Sequence, residues 1–199
     1  MRNSLKEYVS EFEKLTEDLP RISGGISRSE AFAFCGLCKF FDIDVVIDSG
    51  TGRGVSGEYF ARTQKQVITI DLHLHYNDSH VLSSILKEYS NIEYIVGDSL
   101  KEIPKLLLRE KGKRCAVFFD GPKDITAFEF SKTLDIVFCG FHDIIKGREI
   151  ANIFESQSGT LFHTHDEWFA TEYNRLNRNR LPTQGYPNGV GAVFYDNNR

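Results

Sequence analysis

Val45-Val46-Ile47-Asp48-Ser49-Gly50-Thr51-Gly52-Arg53-Gly54-Val55-Ser56-Gly57 decides the reading of this chain. A β-branched apolar run ends in an acid and opens into glycines at alternate positions. Glycine alternation lets the backbone turn sharply and lets a ligand approach it closely. A helix opening near Gly54 then directs its first amide groups at that ligand. The turn follows a buried strand and precedes a helix, a context that separates it from an ordinary glycine-rich loop.

Working outward, five apolar runs read as strands: Asp44–Asp48, Gln66–Asp71, Asn91–Val96, Cys115–Asp120 and Asp135–Phe141. Helical patterns separate them. Leu5, Tyr8, Val9, Phe12 and Leu15 fall on one face of a first helix. Ser27-Arg28-Ser29-Glu30 has the form of a capping box that starts a second, and Ser99-Leu100-Lys101-Glu102 repeats it. Val81, Leu82, Ile85, Leu86 and Tyr89 make the apolar face of the helix before the third strand, and Ile125–Leu134 supplies one between the fourth and fifth. Strands apolar on both faces and joined by helices predict a mostly parallel sheet covered on both sides. The expected fold is thus a three-layer α/β/α sandwich of Rossmann type, in one domain over residues 1–199. Residues 1–40 form N-terminal helices, 41–145 the ligand-binding core, and 146–199 a C-terminal part for substrate and sheet edge.

Composition narrows the function. The chain has 199 residues, 41% hydrophobic, with 24 Lys+Arg against 28 Asp+Glu and a formal charge of −4. A surface of that sign does not attract a phosphate backbone, so nucleic acid is not an expected partner. No apolar run reaches the roughly 20 residues that a bilayer needs, so a membrane is not expected either. Cys35, Cys38, Cys115 and Cys139 are too unevenly placed for a disulfide framework, which fits a reducing, cytoplasmic setting. Cys35-Gly36-Leu37-Cys38 has CxxC spacing without a second ligand pair, and reads as two small helix residues against the core. A small-molecule substrate remains, with a homodimer allowed.

In a doubly wound sheet ligands bind at the carboxyl ends of the strands. The second strand ends in Asp71, a carboxylate able to accept both hydrogen bonds of a ribose diol. The third ends in Gly97-Asp98-Ser99; Asp98 suits an exocyclic amine or a helix cap. Asp48, Asp71 and Asp98 together favour a cationic nucleoside over a phosphate. Gly52-Arg53-Gly54-Val55-Ser56-Gly57 is also a formal GxGxxG, so an NAD-dependent oxidoreductase is the rival, but Asp48 would oppose a pyrophosphate.

On these residues the chain resembles the class I S-adenosylmethionine-dependent methyltransferases. The likeness covers the first glycine motif, the acidic end of strand two and the Gly-Asp of strand three. It implies the methyltransferase fold with a final antiparallel strand, for which Val190–Tyr195 is the candidate. It also implies S-adenosylmethionine as cofactor. Asp48, Gly50, Gly52, Gly54 and Ser56 would then surround the methionine end, with Asp71 and Leu72 on the ribose side and Asp98 and Ser99 near adenine.

Strand four ends in Asp120-Gly121-Pro122-Lys123, and strand five in His142-Asp143. Asp120, His142 and Asp143 therefore stand as the catalytic candidates, with Asp120 also bordering the cofactor. The set resembles that of metal-dependent small-molecule O-methyltransferases and their relatives in antibiotic and sugar tailoring. That resemblance implies methyl transfer to a small-molecule hydroxyl, with Mg²⁺ or another divalent ion on Asp120, His142 and Asp143 as an optional assistant. Without a metal, His142 is the expected general base. The chain lacks the Asn/Asp-Pro-Pro-Tyr run of amino-group methyltransferases, and it lacks the usual Pro-Gly-Gly turn before strand five. A non-catalytic S-adenosylmethionine-binding protein is the other alternative. Farther on, His163-Thr164-His165-Asp166-Glu167 reads as a helix cap or a ligand cluster. Arg175, Arg178 and Arg180 read as a solvated face that could attract an anion.

Overall fold

A computed structural model describes residues 2–19, 25–73, 79–144, 152–153, 160–161, 171–172, 175 and 189–194. Two helices come first, α1 (Arg2–Thr16) and α2 (Arg28–Phe40). Strands and helices then alternate: β1 (Val45–Ser49), α3 (Val55–Thr63), β2 (Val67–Asp71), α4 (Ser79–Glu88), β3 (Ile92–Val96), α5 (Ser99–Arg109), β4 (Cys115–Phe119), α6 (Ile125–Ser131) and β5 (Phe138–Ile144). Two further strands follow, β6 (Thr160–Leu161) and β7 (Gly189–Phe194).

The sheet runs β3-β2-β1-β4-β5-β7-β6. β1 to β5 are parallel, β7 pairs antiparallel with β5, and β6 pairs antiparallel with β7. The order reverses between β1 and β4. A crevice opens at such a switch point because the connecting helices leave to opposite faces.

Alternation along the strands feeds two cores. Val46, Phe118 and Phe138 face one way, packing with Phe12, Phe32, Phe34 and Phe60 of the first three helices. Phe34 meets Phe118 at 4.8 Å, Phe60 at 5.1 Å and Phe138 at 5.3 Å between ring centroids, the spacing that aromatic pairs favour. Ile47, Phe119 and Phe141 face the other way, against Ile103 and Leu106 of α5 and Phe128 of α6.

Local signals place the ends. Ser27 caps α2 through the expected box, accepting from the Glu30 amide while Glu30 Oε2 accepts from Ser27 N at 2.7 Å. The second box is not the cap that forms: Asp98 caps α5, accepting from Leu100 N at 3.1 Å, and Ser99 is the first helical residue. β5 lies three residues later than its apolar run suggests. Ile136 is buried from the preceding turn and not from the strand. His142 and Asp143 consequently lie within β5, where the pairing with β7 shifts register and Asp143 takes φ 60°. An irregularity of this kind re-aims side chains at a strand end. Among the described residues no helix is long and apolar enough to cross a membrane.

Candidate functional site

The β1–α3 loop turns on glycines in the left-handed region, Gly50 at φ 108°, Gly52 at φ 50° and Gly54 at φ 87°. Gly50 is also forced by contact. A Cβ there would lie 2.3 Å from the Gly121 amide nitrogen. The loops after β1 and β4 are therefore packed backbone to backbone, and Asp120 N and Gly121 N both donate to Ser49 O, at 2.8 and 2.7 Å. Gly54 stands at the N-cap of α3, which no side chain caps.

A cavity of 370 Å³ opens beside this junction. Gly50 comes from the first loop, Ile70, Asp71 and Leu72 from the end of β2, Gly97 to Leu100 from the end of β3 and the start of α5, and Gly121 with Pro122 from beyond β4. Its size falls within the roughly 300–1,000 Å³ of small-molecule sites. Asp71 is half-buried, and its Oδ2 accepts from Gly52 N at 2.8 Å. Leu72 stands 60% exposed on the lining, an apolar surface that water does not favour. Asp98 lines the cavity as well as capping α5, and its Oδ2 pairs with Lys101 at 3.3 Å.

Asp48 sits behind the loop and is not part of the lining. It is fully buried, and its Oδ2 accepts from Ser56 Oγ at 2.8 Å and Thr69 Oγ1 at 2.9 Å. Thr51 and Thr69 are joined in turn by their hydroxyls. Burial pushes the Asp48 carboxyl up to about 7; the Asp120 and Asp71 charges add to the rise, and the Ser56 and Thr69 hydrogen bonds oppose it. Ser56, expected at the methionine end of the cofactor, is turned inward to Asp48. Of the expected cofactor residues, the structure gathers Gly50, Asp71, Leu72, Asp98 and Ser99 around the cavity. Gly52 reaches it through Asp71, while Gly54, Asp48, Ser56 and Asp120 stand outside its lining.

A second cluster lies where β4 and β5 end. His142 Nδ1 donates to Asp120 Oδ1 at 2.7 Å, and His142 Nε2 lies 3.2 Å from Glu30 Oε1. Lys123 Nζ donates to Asp120 Oδ1 at 3.0 Å and to Asp143 Oδ2 at 2.9 Å, and is 3.5 Å from His142 Nδ1. Burial by itself would lower the His142 pKa, but hydrogen bonds and charges from Asp120 and Glu30 outweigh it and lift the ring to about 10. Burial would raise Asp120, yet the His142 hydrogen bond, with the His142 and Lys123 charges, holds it below the ordinary carboxylate value. Burial acts to lower Lys123 too, and the Asp120 charge and Asp143 hydrogen bond keep it above its ordinary value. The His142 ring thus stands between two carboxyl groups that favour its protonated form. The Lys123 ammonium stands among Asp120, His142 and Asp143, and among the described residues no group of three or more His, Cys, Asp or Glu side chains is open to an ion.

Two members of this cluster escaped the sequence reading. Lys123 stands three residues after Asp120, a spacing that could have signalled the pair. Glu30 was visible only as half of a capping box. Cys35 and Cys38 are buried thiols within α2, Cys35 pushed up to about 12 by burial, which suits packing and not ligation. Arg175 is engaged with Glu13 of α1 at 2.7 Å and with Glu172 at 2.6 Å, so it does not stand free for an anion. His163 to Glu167, Arg178, Arg180 and Tyr195 lie outside the described residues.

No protein-family model matches the sequence, and no curated protein matches it. Solved structures do. The O-methyltransferase TomG from Streptomyces achromogenes, involved in tomaymycin synthesis and solved in complex with SAM, superposes with a TM-score of 0.56 at 16% identity, over 96% of this chain and 89% of its own. An O-methyltransferase from Bacillus cereus in complex with SAH gives 0.56 at 16% identity, over 97% and 91%. A methyltransferase from Geobacter sulfurreducens gives 0.55 at 16% identity, over 94% and 87%. The parallel sheet, its switch point and its flanking helices are therefore the fold that these methyltransferases share with this chain.

Proposed function

We propose that this protein transfers the methyl group of S-adenosylmethionine to a hydroxyl of a small molecule. The observation that carries the reading is Asp71, held by the Gly52 amide at the wall of the cavity with the exposed Leu72 beside it. A carboxylate there meets a ribose diol, and an apolar side chain next to it covers an adenine face. The solved structures of like fold that hold SAM or SAH support the same assignment. Gly50, Gly52 and Gly54 bring the backbone close to the methionine end. Asp98 and Ser99 face the base, and Asp48, behind the loop with Ser56, supplies negative charge toward a sulfonium and ammonium.

The same contact weighs against a dinucleotide. In a GxGxxG site the loop amides must be free for pyrophosphate. Here the amide of Gly52 is already given to Asp71.

Bound there, S-adenosylmethionine would supply an electrophilic methyl group to the acceptor oxygen, its sulfur leaving with the electron pair of the broken carbon–sulfur bond. The hydroxyl proton passes to a carboxylate of the Asp120–Asp143 pair. His142 holds Asp120 in place and is a positioning residue. The protein's contribution is proximity and alignment.

Calorimetric titration with S-adenosylhomocysteine and with NAD tests the reading. The wild type should bind the first and not the second. Asp71→Ala should lose about 1.5–3 kcal/mol of affinity, roughly ten- to 150-fold, as charged hydrogen bonds do. Asp71→Asn keeps an acceptor for the Gly52 amide and so isolates the ribose contact. Unchanged affinity in both variants, or binding of NAD alone, would overturn the proposal.

A further inference from the structure

We propose that the ammonium of Lys123 takes the place of a divalent ion at this strand edge, so that the acceptor side of the site carries its own cation and binds no metal. The inference concerns the acceptor side of the function proposed above and rests on that reading only for its catalytic meaning.

Three contacts define the place. Lys123 Nζ lies 3.0 Å from Asp120 Oδ1, 2.9 Å from Asp143 Oδ2 and 3.5 Å from His142 Nδ1. Asp120, His142 and Asp143 are the oxygen and nitrogen donors that a hard or borderline divalent ion would need. The lysine sits at their common focus. It is only 22% exposed, and Asp143 is 17% exposed, so the pair is largely withdrawn from water.

The lysine is also tethered. Before it, Asp120 N and Gly121 N donate to Ser49 O. After it, Asp124 caps α6, accepting from Ala127 N at 2.9 Å. The short segment between these anchors holds the ammonium at its partners at a high effective concentration, which a free ion must overcome. The histidine stands close to carboxyl oxygens as well. Both ring nitrogens of His142 are turned to carboxyl oxygens, Asp120 Oδ1 on one side and Glu30 Oε1 on the other. Asp120 Oδ1 itself accepts from both His142 and Lys123. An entering ion would have to expel the lysine and break the histidine's contacts before finding its ligands.

Titration of the full-length chain with Mn²⁺, followed by the loss of the free-ion electron paramagnetic resonance signal, tests this, with thermal unfolding in Mn²⁺ or Mg²⁺ as the second readout. The wild type should show no saturable site and no shift in Tm. Lys123→Met, which removes the ammonium and keeps the bulk, should bind about one Mn²⁺ per chain in a saturable titration that the wild type lacks, and gain Tm in its presence. Should that variant fail to fold, Lys123→Gln carries the same comparison. A saturable wild-type site that is lost in Asp143→Asn would overturn the proposal, because a metal would then displace the lysine. Equal absence of binding in the wild type and the lysine variant would overturn it too, since the lysine would be standing where no ion can. Each titration is repeated with S-adenosylhomocysteine present. Failure of the methyltransferase reading shows there as absent nucleoside binding and leaves the metal result intact.

Discussion

His142→Ala is expected to lower the unfolding free energy by about 3–5 kcal/mol, the cost of removing one partner from a buried ion pair. For a chain of this length that is roughly 6–20 °C in Tm. His142 is buried, and so is Glu30. The ring lies between Glu30 Oε1 at 3.2 Å and Asp120 Oδ1 at 2.7 Å. At neutral pH it is an imidazolium, because its pKa is lifted to about 10. Alanine therefore removes a cation from between two carboxyl groups and leaves a cavity as well. Glu30 suffers more, since Asp120 keeps Lys123 as a partner at 3.0 Å. Adding Glu30→Gln to His142→Ala should accordingly recover part of the loss, although Glu30→Gln by itself destabilises. Chemical denaturation of the four proteins measures the coupling. Strictly additive losses would show that the stranded carboxyl of Glu30 is not what the ring compensates.

That dependence explains where the sequence was legible and where it was not. Strand existence follows from local pattern, and Val45 to Ser49 and Cys115 to Phe119 were found close to their observed bounds because both faces are apolar. The glycine loop was equally readable, since Gly50 must adopt a positive φ and admit Gly121 within contact distance. β5 was misplaced because Ile136 and Val137 carry strand-forming side chains yet pack from a turn. Local pattern offered both Ser99 and Asp98 as caps, and Asp98, the stronger acceptor one residue earlier, takes the role.

The acceptor side was less readable for a different reason. Its roles come from partners distant in sequence. Asp143 meets Lys123 only because β5 lies beside β4, and Glu30 meets His142 only because α2 crosses that strand end. Periodicity carries no trace of either pairing. A histidine read in isolation has its ordinary pKa and suits a base; placed between two carboxyl groups, it becomes a fixed cation. Ser56 illustrates the same limit within the cofactor loop. Its place at the start of α3 is apparent from the glycine motif, but the choice between a ligand and Asp48 depends on how the first turn of α3 meets β1.

Asp48 carries the other large expected effect, one that depends on pH. Burial is the main cause of its rise from 3.8 to about 7, with the charges of Asp120 and Asp71 adding to it. Between those values the folded protein retains a proton that the unfolded chain has released. Stability therefore falls as pH rises from about 4 to about 7, and the loss is complete above that. Some three units at about 1.36 kcal/mol each set the effect at up to about 4 kcal/mol. Asp48→Asn offers Ser56 and Thr69 the same acceptor without a titrating charge. Urea unfolding of both proteins at about pH 4.5 and about pH 8 should show the difference between them moving in favour of asparagine by most of that amount. A difference that does not change with pH would mean that Asp48 is ionised throughout, with its charge satisfied inside the loop. The ligand reverses the balance. A sulfonium or ammonium bound before the loop compensates the ionised carboxylate, so wild-type affinity for S-adenosylmethionine should climb as pH passes through about 7. Asp48→Asn should instead bind more weakly at high pH with a flat profile, sacrificing cofactor affinity for the stability it gains.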